Sequence, residues 1–322
     1  MLETLGTQPD RNRPKSLRDR YRGTLLGLAV GNALGLPVES WSKAEIRRRF
    51  PGGIREVDPA ELDLPWDDDL AQAVIIAEAI LEHDTLDRGD LAARLTEWAS
   101  SNGRGMGSQT RAVINALRHG MAPSEAARVV WEREGGSAAG NGAVMRCAPV
   151  AMRWRTDETR LREESERSAE VTHHDPRCGW SAYAVNLAIA GALGGRRTSI
   201  DSIARALVDA EVGPHTIRAV RRAATPSIDG LELDGSSSGF TLKAMQVGLW
   251  CLENGDEFEK TLLTVVHAGG DTDTNGAVAG AVLGAIHGVE AIPDRWVRGI
   301  PRAERLLSIA DRLLERSEAL PS

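Results

Sequence analysis

The sequence predicts an all-α fold, a compact single-domain orthogonal helical bundle, on three observations. Apolar residues recur at helical spacing along nearly the whole chain. No repeated strand–turn–strand alternation interrupts them. Aromatic residues are scarce at 4% while Gly and Ala are plentiful, which favours close-packed helices over aromatic-rich sheets. With 322 residues, 42% of them hydrophobic, the chain is long enough for one large core.

Residues 1–20 are polar and of mixed charge, and read as an N-terminal extension to a helical domain over 21–318. They do not resemble the short basic lead of a secretory signal. The stretch GTLLGLAVGNALGLPV follows. It has 16 residues with Asn32 inside it, short of the ~20 apolar residues of a membrane span, so it predicts a buried helix. Helical spacing then recurs over 70–81, 91–98, 112–117, 182–193, 203–208, 242–252, 262–267, 277–286 and 303–314. Breakers such as Pro51-Gly52-Gly53 and Gly135-Gly136 fall between helices, and DGLELDGSSSG at 229–239 reads as a flexible loop.

Two of these helices carry glycine at every fourth residue: Gly23, Gly27, Gly31 and Gly35, then Gly276, Gly280, Gly284 and Gly288. Residues four apart share one face. Each interior Gly costs up to ~1 kcal/mol against Ala. The stripes therefore predict that both helices are central and that neighbouring backbones approach closely.

A net charge of −7 argues against a nucleic-acid partner. Three widely spaced cysteines, Cys147, Cys178 and Cys251, read as reduced thiols of a cytoplasmic protein and not as a zinc site. No membrane association is expected, and a monomer is the default. Trp98, Trp131, Trp154 and Trp250 read as core and not as a stacking box.

Two acidic clusters carry the chemistry. HAGGDTDTNGAVAG places Asp271, Asp273 and Thr274 at the mouth of the second glycine helix. One of them could serve as an N-cap, but three oxygen-bearing side chains exceed what a cap requires. In PWDDDLAQAVIIAEAI, Asp67, Asp68 and Asp69 again open a helix. One or two acids suit a positive helix end; three adjacent ones repel unless a cation sits among them. Carboxylates and a hydroxyl without His or Cys beside them form a hard-oxygen site, suited to two Mg²⁺ or Mn²⁺ ions. Asp68, Asp69, Asp271 and Asp273 are the expected ligands, with Thr274 and Asp67 adding oxygens.

In chain order, GTLLGLAVGNALGLPVE, WDDDLAQAVIIAEAI, GNGAVMRCAPV, THHDP and HAGGDTDTNGAVAGAVLGA resemble the ADP-ribosylglycohydrolases. GGDTDT opening a Gly/Ala helix is the most specific of them. The resemblance implies an all-α fold with a binuclear metal cleft. It implies removal of ADP-ribose from a protein side chain or small acceptor by cleavage at the ribose anomeric carbon. It also implies Glu39, Asp69 and Asp271 as catalytic acids, Gly140, Asn141 and Gly142 as the loop lining the ADP-ribose site, and His173 near the ligand, with His174 structural. Backbone N–H groups of that loop would face the diphosphate. A glycosidase for a nucleoside or other small ribosyl compound, or a non-catalytic ADP-ribose-binding protein, is the alternative.

The chain departs from the family pattern at four places. Asp67 and Leu70 replace the two Thr of a Thr-Asp-Asp-Thr motif, Asn32 replaces an Asp in the glycine helix, and Ala138-Ala139 stand where larger or polar residues are usual. These departures bear on the substrate more than on the metal ligands, since all four central aspartates are present.

Overall fold

The computed structural model describes residues 15–319; residues 1–14 of the expected extension lie outside the described residues. The chain runs α1 (Leu17–Gly35), α2 (Lys43–Arg49), α3 (Asp68–His83), α4 (Arg88–Ser101), α5 (Ser108–Arg118) and α6 (Ala126–Arg133). It continues α7 (Ala148–Trp154), α8 (Glu158–Glu170), α9 (Pro176–Leu193), α10 (Ile200–Asp209), α11 (Pro214–Arg222) and α12 (Thr241–Asn254). It closes with α13 (Phe258–Val266), α14 (Thr272–His287), α15 (Asp294–Val297) and α16 (Ala303–Glu318). Among the described residues there is no strand, only isolated antiparallel bridges at Ser42–Gly269 and Gly140–Phe240. The all-α single domain expected from the helical periodicity is the fold observed.

α14 lies at the centre, packed by α1, α9, α12 and α13, and every residue from Thr272 to Ala285 is buried. That explains why it is apolar all round. α1 is likewise buried without a break from Gly23 to Gly35. No described helix is long and apolar enough to cross a membrane.

The two glycine stripes face each other. A β-carbon at Gly31 would lie 1.9 Å from the carbonyl oxygen of Gly276, one at Gly27 2.2 Å from that of Gly280, and one at Gly23 2.4 Å from that of Gly284. The reverse contacts are equally short, with Gly280 at 2.0 Å from the Gly27 oxygen. The helices are thus antiparallel and in backbone contact, which no side chain would permit. The stripes are legible as close-packing faces from the sequence; that each is the other's partner is what the structure adds.

Trp98, Trp154 and Trp250 are core residues, as expected. Trp131 is only half-buried, and its indole N–H donates to Asp175 at 3.1 Å. All three cysteines are free and buried. Segment 229–239 is anchored at both ends: Leu231 and Leu233 are buried, and the Gly239 carbonyl accepts from Asn141 N–H at 3.1 Å. The periodic segments all fall within helices, except that 262–267 overruns α13 by one residue, since His267 is its C-cap.

Gly280→Ala is expected to destabilise by about 3 kcal/mol or more, because the new methyl meets backbone that cannot yield. Gly52→Ala, where a β-carbon meets nothing within 4 Å, should change stability by less than ~0.5 kcal/mol. Urea-unfolding midpoints of the two variants check the contrast.

Candidate functional site

α3 and α14 both open with an acid at the N-cap position, Asp67 and Asp271, and neither side chain makes a capping hydrogen bond. Elsewhere in the chain Ser16, Ser42, Asp87, Asp157 and Ser199 do cap their helices. The site acids are therefore not spent on the helix ends. Asp67, Asp68, Asp69, Asp273 and Thr274 are buried, while Asp271 is half-buried.

The α1–α14 contact sets this meeting. At its end Thr272 Oγ1 donates to the Gly35 carbonyl at 2.8 Å. The strands of chain leaving α1 and entering α14 are then tied: Ser40 N–H donates to Gly270 O and Gly270 N–H to Trp41 O, both at 2.8 Å. Gly269 and Gly270 have φ of 78° and 81°, and a β-carbon at Gly270 would lie 2.1 Å from Leu233 O. This is why a Gly-Gly pair precedes Asp271. Glu39, on the leaving strand, is exposed and lines the same pocket as Asp68, Asp271, Asp273 and Thr274.

Asp67, Asp69 and Asp273 each place one carboxylate oxygen within 4.8 Å of the other two. Asp69 Oδ1 and Asp273 Oδ1 are buried and have no hydrogen-bond partner. Asn32 Nδ2 faces Asp69 Oδ2 at 3.3 Å and Asp67 Oδ2 at 3.5 Å. Arg104 reaches Asp67 only at 3.8 Å, its fork being held by Glu61. Leu70 turns away into the core.

The electrostatics are those of a site with too little positive charge for its acids: Arg104 stands off Asp67, and Arg146 reaches Asp68 only through Gln72. Burial pushes the carboxyls of Asp68, Asp69 and Asp273 well above the ordinary range, and neighbouring acids push them further. Asp67 is raised by burial, against the pull of Arg104 and Asn32. Glu39, although exposed at the pocket rim, is raised by partial desolvation among the packed atoms there, then by Asp271 and Asp67. Orphaned carboxylate oxygens and an all-oxygen donor set fit a hard divalent cation: one among them would satisfy the unpaired atoms and reverse the repulsion. The described side chains offer that oxygen set without a soft ligand beside it.

The pocket has a volume of about 220 Å³, and the side facing the acids is built from segments far apart in the chain. Gly140, Asn141, Gly142 and His173 line it, and His174 stacks edge-on against Trp131 outside it. Asn141 Nδ2 donates to Asp271 Oδ2 at 2.9 Å, tying the loop to the acids. The expected backbone donors are partly spent: Gly140 N–H bonds Gln109 Oε1 at 3.3 Å and Asn141 N–H bonds Gly239 O. A β-carbon at Gly142 would lie 2.6 Å from the His173 ring, so the loop is pressed onto it. Ala139 packs with Ala143, Ala169 and Cys178, and is not a lining residue.

Sequence reasoning missed the wall formed by Gly105, Gly107, Ser108, Gln109 and Thr110, and the lining residues Met145 and Gly239. Gly105 has φ of 76°, and a β-carbon there would lie 2.3 Å from Asp67 Oδ1. The signal was the glycine-rich NGRGMGS opening α5, a pattern that can bring backbone close to a charged group.

Residues 13–321 match the ADP-ribosylglycohydrolase family. An uncharacterized protein of Archaeoglobus fulgidus is 32% identical, over 93% of this chain and 97% of its own. The ADP-ribosyl-[dinitrogen reductase] glycohydrolase of Rhodospirillum rubrum is 28% identical, over 88% of this chain and 90% of its own. A solved structure, an ADP-ribosylglycohydrolase-related protein complex, superposes with a TM-score of 0.75 at 27% identity, covering 94% of this chain and all of that one.

Two outcomes follow from the acid cluster. Raised carboxyls mean that the folded protein binds more protons than the unfolded chain, so this contribution to stability is present at acidic pH and lost as pH rises through the folded values. In chelator, the melting temperature should fall as pH is raised from about 5 to about 8, and saturating Mg²⁺ or Mn²⁺ should remove most of that fall. Asn32→Ala, which removes the amide facing Asp67 and Asp69, should weaken divalent-ion affinity roughly 10- to 100-fold by calorimetry.

Proposed function

Because the chain belongs to the ADP-ribosylglycohydrolase family, we propose that it hydrolyses the glycosidic bond joining ADP-ribose to a protein side chain or small acceptor. The names of the family and its relatives indicate a glycohydrolase. The observation that carries the reading is the convergence of two acidic helix openings on one pocket, with Asp69 Oδ1 and Asp273 Oδ1 buried and unpaired.

In this reading Asp67, Asp68, Asp69, Asp271, Asp273 and Thr274 hold two Mg²⁺ or Mn²⁺ ions. Such ions would supply Lewis acidity toward a water and the ribose hydroxyls. The chain's own residues do the rest. Cleavage at the anomeric carbon builds positive character on the ribose, and the carboxylates around it favour that charge. Glu39 at the rim, its affinity for a proton raised by partial desolvation and then by Asp271 and Asp67, takes a proton from the attacking water in this reading. Asn141 fixes the rotamer of Asp271. The first turn of α5 presents orphan N–H groups and a positive helix end to the pocket, which suits a diphosphate.

The test is release of ADP-ribose from arginine-, serine- and nucleotide-linked conjugates, with Mg²⁺, with Mn²⁺ and with chelator, beside free nucleosides. Metal-dependent release from a conjugate is expected. Asp68→Ala and Asp271→Ala should each lower kcat/KM roughly 100-fold or more with the fold retained. Full activity in both variants would overturn the assignment, turnover of nucleosides alone would make the protein a small-ribosyl glycosidase, and binding without release would make it a binding protein.

A further inference from the structure

One buried cation joins the ligand side of the pocket to its acid side. Arg146 ends the run GNGAVMR and is fully buried. One of its terminal nitrogens donates to Gln72 Oε1, and Gln72 Nε2 in turn faces Asp68 Oδ2 at 3.5 Å. The other donates to Ser168 O at 2.9 Å and to Thr172 Oγ1 at 2.7 Å. Thr172 Oγ1 then lies 2.8 Å from His173 Nδ1.

The direction of that last bond follows by elimination. A guanidinium has only donors, so Thr172 Oγ1 accepts from Arg146. The hydroxyl has one proton to place. Among the described residues, its remaining neighbour is His173 Nδ1. If Nδ1 were itself protonated and donated to Oγ1, the Thr172 proton would be buried with no acceptor. Nδ1 is therefore the acceptor and Nε2 carries the ring hydrogen. Burial, with the nearby Arg146 charge, pushes the His173 pKa down to about 3, so the ring does not take a second proton.

The Nε2 edge is the one turned to the loop and pocket. β-Carbons at Gly142 and Gly140 would lie 3.0 and 3.3 Å from Nε2, and no protein group among the described residues bonds it. We propose that Thr172, oriented by Arg146, is a positioning residue that locks His173 as the Nε2–H tautomer, making it a fixed hydrogen-bond donor to a ribose or phosphate oxygen. His173 is then neither a general base nor a metal ligand in this pocket. The naming of the ligand rests on the proposed function; the tautomer does not.

The experiment records long-range ¹H–¹⁵N spectra of histidine-labelled protein, with His173 assigned by its loss in His173→Gln. It compares wild type, Thr172→Ser and Thr172→Val, and measures ADP-ribose and Mg²⁺ binding by calorimetry. Wild type and Thr172→Ser should show an unprotonated, hydrogen-bonded Nδ1 and a protonated Nε2. Thr172→Val should show a tautomer mixture and about 10-fold weaker ADP-ribose binding, with Mg²⁺ affinity unchanged. A protonated Nδ1 in the wild type, or Thr172→Val retaining both tautomer and affinity, overturns the inference. Wild type with the stated tautomer but no ADP-ribose binding overturns the proposed ligand and function instead, so the two failures are separable.

Discussion

The backbone contact between α1 and α14 is the constraint on which the rest of the structure depends. Each helix gives up a stripe of side chains so that carbonyl oxygens of one pass where β-carbons of the other would be. A contact this close admits one register. Sliding either helix by one residue would drive a side chain into backbone. The register matters because the site hangs from the ends of the pair. Asn32 sits in the last turn of α1, Glu39 follows just beyond, and Asp271, Asp273 and Thr274 open α14. Fixing Gly31 against Gly276 therefore fixes where Asn32, whose amide faces Asp67 and Asp69 at the start of α3, sits relative to the acids that open α14.

That rigidity is what allows so unfavourable a charge arrangement to persist. Asp67, Asp68, Asp69 and Asp273 are buried together, with Arg104 turned mostly to Glu61 and Arg146 one residue removed behind Gln72. Elsewhere acids are used conventionally: Asp311 is held below the carboxylate range by Arg22, and Asp175 by Arg177 despite its burial. The contrast marks the pocket as a place where folding stability is given up, as is common at functional sites. The glycines at 105, 140 and 142 serve the same end from the other wall. They bring backbone against Asp67, Asp68 and His173 where a side chain would block the approach.

How much of this was legible in the sequence depended on whether the signal was local. Helices with a continuous apolar stripe, such as α9, α12 and α14, could be read directly, as could the two acidic openings. α8 could not, because its sequence ETRLREESERSAE is dominated by charge, although it buries Leu161, Glu164, Ser165 and Ser168. α7 is short, with proline in its first turn. At the site, the acids announced themselves by density. The relay that leads to His173 did not, although the resemblance had singled out His173 itself: Gln72, Arg146 and Thr172 are spread over α3, the end of the glycine loop and the turn after α8, and each is an ordinary polar residue in its own segment. The wall from Gly105 to Thr110 was missed for a different reason: a glycine-rich turn before a helix is common, and only its proximity to Asp67 and Asp68 gives it meaning.

The departures from the family pattern also change character once placed in space. Read along the chain, Asn32 is an acid lost and Asp67 an acid gained, thirty-five positions apart. In the structure the two side chains face each other, the Asn32 amide toward both Asp67 and Asp69. Set against the pattern the resemblance implies, the carboxylate stands on the other side of this contact, on Asp67 and not on residue 32. The amide left behind is a donor where two acids adjoin, which eases their repulsion while keeping Asp67 directed into the cluster. Leu70, the other change in that motif, lies on the core side of α3 and takes nothing from the pocket. In this chain the converging oxygens come from α3 and α14, and α1 contributes the amide of Asn32. That is the sense in which three consecutive aspartates can open a buried helix: each of the three has its own surroundings, an amide and an arginine at Asp67, a glutamine backed by a buried arginine at Asp68, and an unpaired oxygen at Asp69.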